Sequence, residues 1–280
     1  MEESLSSLLP EGKLASSSLH ESMRYAVLDG GKRIRPLLVF ATGYLFDAEK
    51  LALARAAAAV EMIHAYSLVH DDMPCMDNDV LRRGKPTVHV RFGEATALLA
   101  GDALQAQAFV VLSNQQCDPV LTVEMMRLLS EAAGAAGMCG GQAIDLASVG
   151  KSLTVNELEN MHRLKTGALL TASVFLGAYC SKIPTEQEKN ALNAYAKAIG
   201  LAFQVVDDIL DVTADSADLG KTAGKDSADN KPTYVSLLGL EESRQLAEKL
   251  RNDAYAALSI FDEKADYLRQ LADLVVRRKK

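Results

Sequence analysis

Apolar residues in this chain recur in long segments rich in Ala, Leu, Glu, Lys and Met, residues that favour helices. No proline, the strongest helix breaker, lies between Pro119 and Pro184 or between Pro184 and Pro232. Runs of β-branched residues are short, and no Asn-Gly or Asp-Gly turn joins two of them. The pattern therefore predicts an all-α fold, with helices near 19–29, 36–46, 49–73, 94–114, 119–136, 140–147, 154–163, 166–180, 186–212, 233–239, 241–260 and 263–277.

The chain is predicted to form a single domain over 1–280, because no linker rich in Gly, Ser or Pro divides it. Its longest polar segment is 213–232. This segment is too long for a simple connection between helices, and we interpret it as a functional flap.

The composition narrows the class of function. Apolar residues make up 49% of the chain, which is enough for a large core, and the net charge of −7 argues against a nucleic-acid partner. The four cysteines are scattered, so a disulfide framework or a zinc site is not expected. The acidic N-terminus is unlike a signal peptide, and no uninterrupted apolar stretch reaches the roughly 18 residues of a membrane span. These features predict a cytoplasmic protein without membrane insertion.

Two acidic clusters each follow an apolar helical segment. In the second cluster, Asp207 and Asp211 are four residues apart and share one helix face. Like charges at this spacing repel each other by roughly 0.2–0.5 kcal/mol unless a cation lies between them. Carboxylate oxygens suit Mg²⁺, which completes its shell with water and substrate phosphate. A pair of such clusters therefore favours a metal site over solvated helix faces.

The first acidic cluster has a different spacing. Asp77 lies six residues after Asp71, so a straight helix would turn the two carboxylates to opposite sides. Pro74 lies between them and disrupts the helix. We therefore expect the chain to loop back and bring Asp77 towards Asp71.

Two basic segments accompany the acidic clusters. The segment 30–36 combines two glycines with Lys32, Arg33 and Arg35 before a predicted helix, and 82–87 places two arginines shortly after the first acidic cluster. Helix N-termini and arginines both suit phosphate groups. Next to a metal site, these segments favour diphosphate binding over a solvated surface.

A nucleotide-binding loop is a competing interpretation, because 150–152 and 220–222 both end like the Gly-Lys-Ser/Thr of such loops. The earlier glycine that this motif requires is replaced by Asp145 and Asp215. No strong strand signal precedes either segment, so the interpretation is rejected.

Read in order over 28–234, GGKRIRP, IHAYSLVHDDMPCMDNDVLRRGKPT, KTG, FQVVDDILD and GKTAGKD resemble the trans-isoprenyl diphosphate synthases, most closely the bacterial-type farnesyl diphosphate synthases. The resemblance implies an all-α bundle around a deep central cavity, a homodimer and three Mg²⁺ ions in each active site. It also implies condensation of an allylic diphosphate, dimethylallyl or geranyl, with isopentenyl diphosphate to give farnesyl diphosphate.

The resemblance further implies roles for individual residues. Isopentenyl diphosphate would contact Lys32, Arg35, His64 and Arg83. The allylic diphosphate would contact Arg82, Lys165, Lys221 and Lys231. Magnesium would be held by Asp71, Asp77 and Asp207, with Asp72, Asp208 and Asp211 in support. Lys165, Thr166 and Gln204 would act in catalysis, the last two by facing the developing cation.

Helix geometry adds two inferences about the segment before the first cluster. His64 lies seven residues before Asp71 on the same helix face, which favours ligand contact over a core role. Ser67 and Tyr66 lie four and five residues before Asp71, so Tyr66 is about 7.5 Å down the axis. The bulk of Tyr66 should stop growth of the product, which favours a fifteen-carbon chain.

Of three alternatives, a relative with another product length stays open, and the other two are disfavoured. A geranyl or geranylgeranyl diphosphate synthase would share every motif. A terpene cyclase would need no second diphosphate site, so GGKRIRP and Arg83 argue against it. A non-catalytic subunit of a heteromeric synthase often lacks an acidic motif, whereas both are intact in this chain.

Overall fold

The structure is a computed structural model that describes residues 1–11, 17–28, 30–151, 153–213 and 232–278. Its helices are α1 Glu2–Leu8, α2 Ser17–Val27, α3 Ile34–Leu45, α4 Lys50–Asp71, α5 Val88–Phe92, α6 Glu94–Ser113, α7 Pro119–Ala133, α8 Met138–Ser148, α9 Val155–His162, α10 Ala168–Tyr179, α11 Glu186–Thr213, α12 Tyr234–Leu238, α13 Leu240–Ala257 and α14 Asp266–Arg277. A π-helical turn, Arg163–Gly167, joins α9 to α10.

In the described ranges, strands are limited to one small antiparallel hairpin of β1 Leu81–Arg82 and β2 Lys85–Pro86. The hairpin turns at Arg83 and Gly84, which both have positive φ angles. It follows the first acidic cluster directly, so it fixes the second basic segment against the end of α4.

Helix α4 lies at the centre of one hydrophobic cluster and packs against α1, α2, α3, α6 and α10. The four alanines at 56–59 are all fully buried. Their small side chains allow neighbouring helices to approach α4 closely on several sides. The C-terminal end of α4, with the first acidic cluster, is thereby held in a fixed position.

Helix α11 organises the second hydrophobic cluster and packs against α10, α12, α13 and α14. Tyr195 on α11 is fully buried, and its hydroxyl donates a 2.7 Å hydrogen bond to the carbonyl oxygen of Leu268. This bond satisfies the polar end of a large core residue and fixes α14 against α11.

Most predicted helices are present, with ends displaced by a few residues. The helix predicted at 119–136 begins at Pro119, behind an Asp118 side chain that accepts from the backbone N–H of Val120. The helix predicted at 154–163 begins with a capping box of Thr154 and Glu157. The helices predicted at 154–163 and 166–180 are joined by the π-helical turn instead of a loop.

Two short helices were not predicted. In α1, Leu5 is fully buried in the cluster around α4, so tertiary packing stabilises a segment too short to be a stable helix alone. The helix α5 has only five residues and packs against α2 and α6. The flap predicted at 213–232 lies, apart from its two end residues, outside the described residues.

Two described helices, α4 and α6, are long and apolar enough to span a membrane by length and composition. Such a match is weak, because core helices of globular proteins have the same composition. The most apolar window of α4 is 72% buried, whereas that of α6 is 39% buried. The difference shows that α6 keeps an exposed apolar face within the monomer.

Candidate active site

The first acidic cluster lies at the C-terminal end of α4, and the chain loops back there as Pro74 predicts. The backbone N–H of Asp77 donates a 2.8 Å hydrogen bond to the carbonyl oxygen of Asp71. Burial, opposed by Lys165 and reinforced by the Asp77 charge, raises the pKa of Asp71 to about 6. A carboxylate in this environment is stabilised by any cation that reaches it.

Asp72 belongs to the same cluster but faces a different partner. The Nε of Arg82 donates to both carboxylate oxygens of Asp72 at 2.8 Å, and Nη2 donates to Oδ1 at 2.6 Å. Asp79 lies 3.7 Å from the same guanidinium. Arg82, predicted to bind the allylic diphosphate, is therefore tied to the acidic cluster in this structure.

In the second acidic cluster, Asp208 is held by protein groups on both oxygens. Its Oδ1 accepts from Nε2 of Gln204 at 2.9 Å, and its Oδ2 accepts from the backbone N–H of Tyr234 at 2.8 Å. These bonds join α11 to the start of α12. They fix the orientation of Asp208, whose supporting contact with the metal stays a prediction.

The other two carboxylates of this cluster differ in their surroundings. Oδ1 of Asp207 accepts a 2.8 Å hydrogen bond from Nη2 of Arg278. Oδ1 of Asp211 is buried and has no hydrogen-bond partner among the described residues. An unsatisfied buried carboxylate oxygen is costly, so the Asp211 site suits an additional donor or cation.

Lys165 lies in the π-helical turn between α9 and α10, a distortion often found at functional sites. Its Nζ donates to Oδ2 of Asp145 at 2.5 Å. A side chain at Gly141 would come within 2.1 Å of the backbone nitrogen of Lys165, so this glycine allows α8 to approach the turn. Lys165 thus lies close enough to Asp71 for its charge to oppose the rise in pKa that burial causes at that carboxyl.

The neighbouring residue connects the turn to α11. The hydroxyl of Thr166 lies 3.5 Å from Oε1 of Gln204, and Gln204 in turn bonds Asp208. The structure therefore brings together Lys165, Thr166 and Gln204, the three residues predicted to act in catalysis.

His162 lies near charged residues of α8, the π-helical turn and α11. Burial, reinforced by Lys165 and opposed by Asp145 and Asp207, lowers the pKa of this imidazole to about 4. Its ring packs at 5.9 Å from the ring of Tyr234. Since Lys165 acts on Asp71 and on His162, and Asp207 acts on His162, the two halves of the chain contribute to one charged region.

The predicted isopentenyl diphosphate residues form a second charged group. Burial lowers the pKa of Arg35 to about 10, against the opposing effects of Glu61 and Asp207. Burial and the nearby charges of Arg35 and Arg83 hold the pKa of His64 well below its usual range, so its imidazole is neutral. Lys32 is exposed beside them, whereas the predicted Lys221 and Lys231 lie outside the described residues.

Arg33, in contrast, has a structural role. Its guanidinium bonds Glu2 at 2.8 Å, the carbonyl oxygen of Val27 at 2.6 Å and the buried Glu61 at 2.5 Å. It thereby ties α1 and the end of α2 to α4. This anchor separates Arg33 from the ligand contacts predicted for Lys32 and Arg35.

The two basic segments meet at Arg83, whose side chain crosses the glycine pair. A methyl group at Gly30 would lie 3.1 Å from Cδ of Arg83, and one at Gly31 would lie 2.7 Å from Nη2. Beside them, Arg82, Arg83 and Lys85 border a cleft between α2, α4 and the hairpin. The cleft is lined by the face of α4 that carries Leu68, which is adjacent to the face of His64 and Asp71.

The predicted product-length residues lie on α4 below Asp71. Tyr66 is 5% exposed, and its hydroxyl contacts Sγ of Cys139 on α8 at 3.6 Å. Ser67 donates a 2.9 Å hydrogen bond to the carbonyl oxygen of His64 within the same helix. Tyr66 therefore spans between helices, whereas the Ser67 hydroxyl is satisfied locally.

The residues fit a divalent cation better than a purely structural role, although no three Asp, Glu, His or Cys groups of the described chain form a preassembled metal cluster. Asp71 and Asp77 are close through their backbones, the pKa of Asp71 is raised, and one oxygen of Asp211 lacks a partner. Without metal, Arg82, Lys165 and Arg278 supply the compensating positive charge.

The arrangement is that of an all-helical enzyme in which acidic clusters and cationic side chains share one site. The sequence model of the polyprenyl synthetase family matches residues 16–268, and the chain belongs to this family. It is 50% identical over 266 residues to the farnesyl diphosphate synthase of Escherichia coli, covering 93% of this chain and 89% of the relative.

Two solved structures are similar to this chain. An FPP/GFPP synthase from Zymomonas mobilis is 44% identical with a TM-score of 0.87, covering 98% of this chain and 94% of that one. A geranyltransferase from Helicobacter pylori, complexed with magnesium and isoprenyl diphosphate, is 35% identical with a TM-score of 0.86, covering 98% and 93%. The predicted family, all-α fold and prenyltransferase activity are confirmed.

Sequence reasoning missed several residues that shape the site. Asp145 was considered only as a mismatch to a nucleotide-binding loop, although it bonds Lys165. Glu61, an acid within an apolar helix, could have indicated an ion-pair partner, and the structure shows this partner to be Arg33. Nothing in the sequence indicated that Arg278 lies against Asp207, because 71 residues separate them.

Proposed function

We propose that this protein condenses dimethylallyl or geranyl diphosphate with isopentenyl diphosphate and releases farnesyl diphosphate and diphosphate. The observation that carries the proposal is the position of Lys165. It is held by Asp145, acts on Asp71 of the first acidic cluster, and shares the neighbourhood of His162 with Asp207 of the second. A fixed cation beside the first acidic cluster suits a substrate that carries a diphosphate and its metal ions.

In this proposal Asp71, Asp77 and Asp207 hold Mg²⁺, three ions in each active site, with support from Asp72, Asp208 and Asp211. Bound Mg²⁺ neutralises the negative charge that develops on the leaving diphosphate. Members of the family use Mg²⁺, and the Helicobacter pylori relative is complexed with it. Lys165, Arg82, Lys221 and Lys231 would add positive charge around the same leaving group.

The second substrate would be bound at the other charged group. Arg35, Arg83 and Lys32 are cationic, and the neutral His64 can donate or accept a hydrogen bond to the diphosphate of isopentenyl diphosphate. The hydroxyl of Thr166 and the amide oxygen of Gln204 would face the allylic cation. The released diphosphate then takes the final proton, because no side chain in the site is a strong candidate base.

The protein is proposed to act as a cytoplasmic homodimer. Helix α6 exposes about half of the surfaces of Leu98, Leu99 and Val110, and α7 exposes Val123 to 62%. A second copy of the chain would cover this face and remove it from water. Exchange of Leu99 for Lys should shift the sedimentation coefficient to that of a monomer, whereas Leu51→Lys, at an exposed position in the first turn of α4, should not.

The test is incubation of the purified protein with isopentenyl diphosphate, Mg²⁺ and either dimethylallyl or geranyl diphosphate, followed by product sizing. A fifteen-carbon product is expected, and a ten- or twenty-carbon product would redirect the assignment within the family. Exchange of Asp71 or Asp207 for Ala should abolish turnover at millimolar Mg²⁺. Asp253→Ala, an exposed acid on α13, is the matched control and should retain activity.

The same assay separates the enzyme from a non-catalytic subunit. Such a subunit would form no product alone with any allylic substrate. Product formation by the isolated chain, abolished by a single acidic exchange, would therefore exclude that alternative.

A further inference from the structure

We propose that Arg278 is a positioning residue of the metal site, which occupies Asp207 in the metal-free protein and competes with the divalent cation for that carboxylate. The inference rests on the proposed function, in which Asp207 is a metal ligand. It assigns a role to a residue at the end of α14 that lies outside every motif of the sequence.

The contacts of Arg278 are extensive. Its Nη2 donates to Oδ1 of Asp207 at 2.8 Å and to the carbonyl oxygen of Phe203 at 2.7 Å. Its guanidinium lies 3.9 Å from the centre of the Phe203 ring. The Arg278 side chain is only 5% exposed, whereas that of Asp207 is 38% exposed. The carboxylate is therefore open to solvent on one side and closed by arginine on the other.

The burial of Arg278 is only partly compensated. Its Nε and Nη1 are buried and have no hydrogen-bond partner among the described residues. Three of the five N–H groups of the guanidinium belong to these two nitrogens. A purely structural arginine in this position would be expected to have its donors satisfied. Asp207 is thus the negative charge that keeps Arg278 in place.

A metal ion at Asp207 would change this balance. It would bring at least one further positive charge beside the guanidinium, and the two cations would repel each other at close range. The arginine and the metal ion therefore cannot both keep their full contacts with Asp207. Binding of the metal would release Arg278, whose unsatisfied donors are then available to an anionic substrate.

The experiment measures binding of Mn²⁺ alone to the substrate-free protein, from the loss of the electron paramagnetic resonance signal of free Mn²⁺. Removal of the competing cation in Arg278→Gln should tighten Mn²⁺ binding by about five- to tenfold, the scale of the net contribution of one hydrogen bond. Arg251→Gln breaks the ion pair with Asp273 on α14 and should leave Mn²⁺ affinity unchanged. Unchanged or weaker binding in Arg278→Gln would overturn the proposal.

The effect of Arg278→Gln, measured in the Asp207→Asn variant, shows whether Asp207 is the carboxylate involved. In Asp207→Asn, Arg278→Gln should have no further effect on Mn²⁺ affinity, because the shared partner is absent. An equal gain in both backgrounds would show a general charge effect and reject the specific pair. If Arg278→Gln does not fold by circular dichroism, Arg278→Lys, which keeps the charge but not the two-partner geometry, should tighten Mn²⁺ binding about two- to threefold, a fraction of the same hydrogen-bond scale.

Failure of this proposal is distinct from failure of the proposed function. A wild-type protein that forms no prenyl product would refute the function, whatever the Mn²⁺ affinities are. A wild-type protein that forms farnesyl diphosphate, with Mn²⁺ affinity insensitive to Arg278, would refute only the role of the arginine.

Discussion

Gly31 and Arg83 are packed so closely that a methyl group at Gly31 would lie 2.7 Å from Nη2 of the arginine. Gly31 also has a φ angle of +96°, which residues other than glycine rarely adopt. The glycine pair therefore positions a cationic side chain, in addition to shaping the loop before α3. The two basic segments of the sequence form one unit because of this contact.

Exchange of Gly31 for Ala should displace Arg83 and weaken binding of isopentenyl diphosphate. We expect KM for isopentenyl diphosphate to rise by roughly tenfold, equivalent to about 1.4 kcal/mol, with KM for the allylic substrate nearly unchanged. Steady-state kinetics with each substrate varied in turn measures the two constants.

Gly84→Ala is the matched control for this exchange. Gly84 also has a positive φ angle, +74°, but no atom lies within 4 Å of the position of an added methyl group. Both exchanges should lower stability by about 1 kcal/mol through backbone strain. If Gly84→Ala raises KM for isopentenyl diphosphate as much as Gly31→Ala does, strain and not the position of Arg83 is responsible.

The sequence predicted local features of the site better than its long-range pairs. Pro74 and the spacing of Asp71 and Asp77 predicted the return of the chain, because all three residues lie within seven consecutive positions. The contact of Lys165 with Asp145 depends on the packing of α8 against a π-helical turn, which no local pattern specifies. Arg278 lies against Asp207 only because α14 packs on α11.

Exchange of Lys165 for Met should reduce kcat by roughly 10²–10³, the scale of removing one fixed positive donor from a reacting group. Methionine keeps the length and apolar stem of lysine, so the π-helical turn should remain folded. Single-turnover measurements with saturating substrates and Mg²⁺ report the chemical step directly.

Asp145→Asn tests whether Lys165 acts only through its partner. Asparagine can still accept the hydrogen bond from Nζ through its side-chain oxygen, so we expect a loss of about tenfold or less. A loss as large as that of Lys165→Met would show that the pair, and not the lysine charge at the substrate, is what turnover requires.

Exchange of Tyr66 for Ala should lengthen the product beyond fifteen carbons. The tyrosine ring fills the space between α4 and Cys139 on α8, and its removal opens the path below Asp71. Product sizing with labelled isopentenyl diphosphate measures the change. Ser67→Ala removes only a hydroxyl bonded within α4 and should leave the product unchanged; an unchanged profile in Tyr66→Ala would reject the tyrosine as the limit.

The buried His162 should make the protein sensitive to acid. Its pKa is lowered to about 4 in the folded state, compared with about 6.5 for an unperturbed histidine. Between these values the unfolded state binds more protons than the folded state, so stability decreases as the pH falls from about 6.5 to about 4. The maximum loss is on the order of 3 kcal/mol.

In His162→Gln this part of the pH dependence should disappear, as measured by urea unfolding at a series of pH values. His89→Gln, at a half-buried histidine near the hairpin, should keep the acid dependence of the wild type. Equal pH profiles for wild type and His162→Gln would show that His162 is not the group responsible.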